Sequence, residues 1–99
     1  MNHPLPTSDI FTGNFDFIAV RASLELPQIP SSPTMRDFDD AQTYAITANP
    51  WTMRGVAEIW RAEAVRWRRH NPDTPLDVKA IVAATAAVVF RRQRDDLAS

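Results

Sequence analysis

Four residues, Thr74-Pro75-Leu76-Asp77, constrain this chain more than any other stretch. A threonine hydroxyl can accept from the amide three residues on, and the aspartate can answer the threonine amide. Proline suits the first helical position, because its φ is preset and it has no N–H to leave unpaired. A helix is therefore expected from Pro75, and the apolar pattern behind it runs to about Asp96. Thr34-Met35-Arg36-Asp37 repeats the logic and opens a helix over 35–48, with Asp37, Asp39 and Asp40 where the helix dipole favours acids. Asn49-Pro50 ends that helix and starts the next, with Asn49 as cap and Pro50 as first residue of a helix over 50–69. "HNPD", 70–73, is the turn between the last two.

Before Thr34 the signals weaken. "PQIPSSP", 27–33, holds three prolines and reads as a loop. Residues 1–13 read as an irregular arm. In 14–26 a strand would align Ile18, Val20, Ala22, Leu24 and Leu26, whereas a helix would align Phe15, Ile18, Ala19, Ala22 and Leu26. The alternation is the cleaner pattern. The expected fold is mainly α: a small three-helix domain over 34–99 ending in an antiparallel helical hairpin, preceded by a Pro-rich arm over 1–33 that holds one short β-strand.

In the helix 50–69, Met53, Val56, Ala57, Trp60, Ala64 and Trp67 form one apolar stripe, opposed by Arg54, Glu58, Arg61 and Arg68. The stripe should face the branched side of the last helix, Val78, Ile81, Val82, Thr85, Val88 and Val89. The other side of that helix, Leu76, Ala80, Ala83, Ala84, Ala87 and Phe90, is also apolar, so burial on both sides is expected.

Composition removes several functions. With 99 residues the chain is one small domain. It has no cysteine, hence no disulfide, thiol chemistry or cysteine-ligated zinc. The start "MNHPLPTSD" lacks the basic and apolar regions of a secretory signal, and no apolar run is long enough for a membrane span. A soluble cytoplasmic protein is expected. The only histidines are His3 and His70, no serine sits in a nucleophile motif, and no glycine-rich loop exists to hold phosphate. Asp37, Asp39 and Asp40 lack the glycine and distal glutamate of a calcium loop. No catalytic residue, metal or cofactor is assigned.

Arginines raise the question of nucleic acid. Arg66, Arg68 and Arg69 close one helix, and Arg91, Arg92 and Arg94 close the next. In an antiparallel pair these ends lie roughly 30 Å apart at 1.5 Å per residue, so the clusters are not expected to merge within one chain. Basic residues also complement helix C-termini. A helix-turn-helix reading fails because the second helix offers valine and alanine where base edges need polar groups.

Contact with another protein remains as the favoured function. Trp51, Ile59 and Val65 lie off the stripe of their helix, and Phe11, Phe15 and Phe17 load the arm, which either caps the bundle or meets a partner. A strand without a partner strand is unstable alone. These unmet demands point to a homodimer, since a two-fold axis uses one self-complementary patch twice. The expected role is a non-enzymatic interaction module: a small regulator, inhibitor or assembly factor, of the size common among phage and mobile-element proteins. The alternative is a nucleic-acid-binding regulator that uses the two arginine clusters as a dimer, which would bring the basic ends together.

Overall fold

A computed structural model describes residues 29–98. Phe11, Phe15, Phe17 and the strand expected within 14–26 lie outside the described residues. Among those residues the chain is mainly helical, with no strand: α1 spans Met35–Thr47, α2 Met53–His70 and α3 Val78–Ala98.

The start of α1 is the capping box expected from sequence. Asp37 N–H donates to the Thr34 hydroxyl at 3.1 Å, and Thr34 N–H donates to the Asp37 carboxylate at 2.9 Å. That backbone donor, followed by the Thr34 hydroxyl, holds the Asp37 carboxyl below its ordinary range.

The other two helices begin later than expected, for a common reason. Asn49 spends its side chain on a turn, accepting from Trp51 N–H at 2.9 Å. The cap passes to Thr52, whose hydroxyl accepts from Gly55 N–H at 3.0 Å. Thr74 is likewise drawn into the loop. Its N–H goes to the Asn71 carbonyl at 3.3 Å, and its own carbonyl accepts from Arg68 at 2.6 Å. Asp77 then caps α3, accepting from Ala80 N–H at 3.1 Å. At both sites a second capping residue lies downstream of the first and takes the cap, with the Asn49 side chain and the Thr74 backbone held in turns.

The central element is α2, which packs against both α1 and α3. Ala41 and Ala45 of α1 meet Ala62 and Val65. On the other flank Val56 and Ile59 meet Ala48 and Val89, while Ala57, Trp60 and Ala64 meet Ile81. Ile29 and Trp67, both half-buried, close over the second group. Residues early in α2 meet residues late in α3, and later ones meet its beginning. Nine of the 18 residues of α2 are buried.

Burial of α3 departs from expectation. Only Ile81, Thr85, Val89 and Gln93 are buried, a stripe at four-residue spacing. Ala83 and Ala87 are exposed, and Phe90 is 44% exposed. Along the expected second apolar side Leu76, Ala80 and Ala84 are half-buried, Leu76 against the Trp60 group, while Ala83 and Ala87 stay exposed because α1 packs its alanines on α2.

One end of the bundle is locked by backbone approach. The Asn49–Pro50 turn lies so close to α2 that a Cβ at Gly55 would meet the Asn49 carbonyl oxygen at 1.7 Å. Glycine is required there by space. Gln93, fully buried, donates to the Pro50 carbonyl at 2.9 Å, and the Trp51 indole donates to Asp96 at 2.9 Å. The turn between α1 and α2 is thereby tied to the end of α3. No helix among the described residues is long and apolar enough to cross a membrane.

Candidate interaction site

The arginines expected to form two separate clusters are mostly ties within the fold. Arg66 pairs with Glu63 at 2.6 Å and also donates to Gln42 of α1. Arg69 reaches the Met35 sulfur at 2.6 Å, with its guanidinium 5.3 Å from the centre of the Phe38 ring. Arg68 closes the α2–α3 loop through Thr74 and lies over Trp67.

Arg92 donates to the carbonyls of Ala45 and Ala48, at the C-terminus of α1. That end leaves carbonyls without intrahelical donors and carries a partial negative charge. The last turn of α1 has no basic residue of its own. A cation from another helix therefore caps it. Arg94 meets Asp95 at 3.6 Å, both largely exposed. Arg91 is exposed, with no hydrogen bond or ion pair among the described residues.

The expectation that the clusters stay apart is corrected for Arg66 alone. Arg66 joins Arg91 and Arg92 along one groove of about 290 Å³, which Arg68, Arg69 and Arg94 do not line. Glu63 lies beside Arg66 in the α2 wall, and Val88 accompanies the two arginines of α3. The α1 wall contributes Gln42, Ala45 and Ile46, the last 73% exposed. Merging happens because α2 and α3 do not carry the groove alone. It is framed by α1, towards which both Arg66 and Arg92 reach. Three guanidiniums face one carboxylate, and that carboxylate is itself paired.

The apolar candidates divide. Ile59 is fully buried with Val56 and Val89, and Val65 is buried with Ala41, Ala45 and Ala62. Neither is open to a partner, because α2 is packed on two flanks and needs two stripes. Trp51 is half-buried and spends its indole N–H on Asp96. On α3, Ala83, Ala87 and Leu97 are exposed and stand at the spacing of one helix face.

Chemistry-bearing groups do not converge. His70 sits at the exposed end of α2 with Nδ1 2.8 Å from the Arg66 carbonyl. No group of three or more His, Cys, Asp or Glu is placed to hold a metal ion among the described residues. Asp37 and Asp40 border a cavity of about 110 Å³ with Arg61 and Tyr44, where Arg61 lies 5.9 Å from the Tyr44 ring centre. Gln93, Gly55 and the capping role of Arg92 were not singled out from sequence. Gln93 had a signal, the four-residue spacing from Ile81 through Thr85 and Val89. Gly55 had another, as a glycine inside a helical pattern.

Comparison with protein-family models, with curated proteins and with solved structures gave no match to this chain.

Proposed function

We propose that the protein is a non-enzymatic interaction module, a small regulator, inhibitor or assembly factor that works through contact with another protein and forms a homodimer. The scaffold behind this reading is an antiparallel hairpin of α2 and α3. The observation that carries it is the outer side of α3. A 21-residue helix with four buried residues presents Ala83, Ala87 and Leu97 outward. Small side chains let a second helix approach closely, and a two-fold axis would use the face twice.

Light scattering coupled to size exclusion at micromolar concentration tests it. A dimer is expected for the native chain and a folded monomer for Ala87→Glu, whose thermal midpoint should no longer depend on concentration. A native chain that stays monomeric on concentration contradicts self-association.

A second reading, nucleic-acid binding, is favoured by one observation: Arg66, Arg91 and Arg92 line a common groove. Binding through several phosphates should weaken steeply as salt rises. A gel shift that shows no complex at low salt removes this reading.

A further inference from the structure

The groove between α1, α2 and α3 has a charge pattern that the α3 face does not explain. We propose that it is a docking site for an acidic segment of a partner protein, in which a carboxylate side chain pairs with Arg91 and a neighbouring apolar side chain lies on Ile46 and Val88. This rests on reading the chain as an interaction module, but it uses a different surface.

Charge complementarity selects the occupant. Arg66 is neutralised by Glu63 at 2.6 Å, and Arg92 is held on the carbonyl end of α1. Arg91 is left with a guanidinium that has no partner among the described residues, and a planar guanidinium binds a carboxylate through two parallel N–H donors. Beside it, Ile46 is 73% exposed on a short helix that buries only two of its residues. Cation and apolar side chain share one groove, so a ligand with both features gains from each.

Scale and sign then favour a peptide over nucleic acid. At about 290 Å³ the groove is at the small end of ligand pockets, with space for one or two side chains. A phosphate backbone is held by several cations along a track, whereas here two of the three arginines are already engaged.

The test is a titration of the ¹⁵N-labelled full chain followed by amide chemical shifts. The probe is a short peptide of Glu-Leu pairs spaced by Gly-Ser, run beside its Gln-Leu counterpart and a single-stranded oligonucleotide. Saturable shifts are expected at Gln42, Ile46, Val88 and Arg91 with the Glu-Leu peptide, and much weaker ones with Gln-Leu. Arg91→Glu should weaken binding about tenfold or more, the effect of losing roughly 1.4 kcal/mol. Lys79→Glu makes the same charge change at the other end of α3 and should leave binding unchanged. Equal binding of the Gln-Leu peptide, or an Arg91→Glu chain that binds as well as the native one, overturns the proposal. So does tighter binding of the oligonucleotide in the groove, which would support the nucleic-acid reading. Shifts at Ala83 and Ala87 in place of the groove overturn it while leaving the α3 face as an interaction surface. A chain that dimerises yet shows no shifts refutes the groove alone. A chain that neither dimerises nor shifts refutes both.

Discussion

Helices α2 and α3 differ little in length, yet nine of 18 residues are buried in one and four of 21 in the other. Composition points the opposite way. α3 is the more apolar helix, rich in valine and alanine, whereas α2 carries arginines and glutamates along its length. Place in the bundle decides the outcome. α2 is flanked on two sides, so Val56, Ala57, Trp60 and Ala64 of its stripe and the off-stripe Ile59 and Val65 are covered, while Met53 at its start is 46% exposed. Among the described residues α3 packs along α2 and meets the end of α1 through Val89 and Arg92. A helix can be apolar all round without being internal, and the surplus is then surface for contact.

The largest test of this contrast is a pair of substitutions. Trp60 is fully buried, and Trp60→Ala should destabilise by about 3–5 kcal/mol in urea unfolding. Ala87→Glu on the outer side of α3 should stay within about 0.5 kcal/mol for the monomer. Equal losses would break the contrast. Gly55→Ala comes next. Its Cβ would run into the Asn49 backbone, and overpacking of this kind costs about 1–3 kcal/mol, sometimes more. A neutral result would show that the turn does not rest on α2.

Two neighbours on α3 sharpen the comparison. Arg92→Met leaves the Ala45 and Ala48 carbonyls without that donor and should cost about 1–3 kcal/mol, while Arg91→Met should be near neutral. If both are neutral, the cross-helix cap is not stabilising α1.

The smallest effect belongs to α1. The Thr34 amide lowers the Asp37 carboxyl from the ordinary value of 3.8, so its folded form is more acidic than its unfolded form. Its contribution to stability is complete above that ordinary value and is lost as pH falls through the lower folded value. Asp37→Asn should therefore be less stable than the native chain at neutral pH, and the gap should close in acid. A gap independent of pH would assign the effect to shape rather than charge.

Local signals were legible in the sequence. The Thr34–Asp37 box, the three helices and the burial of Trp60 follow from residues within a turn or two of each other. What sequence did not disclose depends on where α1 docks. That single long-range choice makes Val65 core rather than surface, leaves Ala83 and Ala87 of α3 exposed, and brings Arg66 and Arg92 to one groove. It also gives Arg92 its carbonyl partners, more than 40 residues away in sequence. Gly55 and Gln93 lay between these cases: their spacing was visible, but the backbone they meet belongs to another element.

Thiol accessibility tests the central contrast most directly, since the chain has no native cysteine. Cysteine is placed at one site per chain, as Ala64→Cys in α2 or Ala87→Cys in α3, and the rate of reaction with a thiol reagent is followed across protein concentration. Ala64→Cys should be protected at every concentration, reacting only through unfolding. Ala87→Cys should react freely when dilute and become protected as concentration rises and the α3 faces meet. Free reaction of Ala64→Cys, or protection of Ala87→Cys that is independent of concentration, would contradict the account.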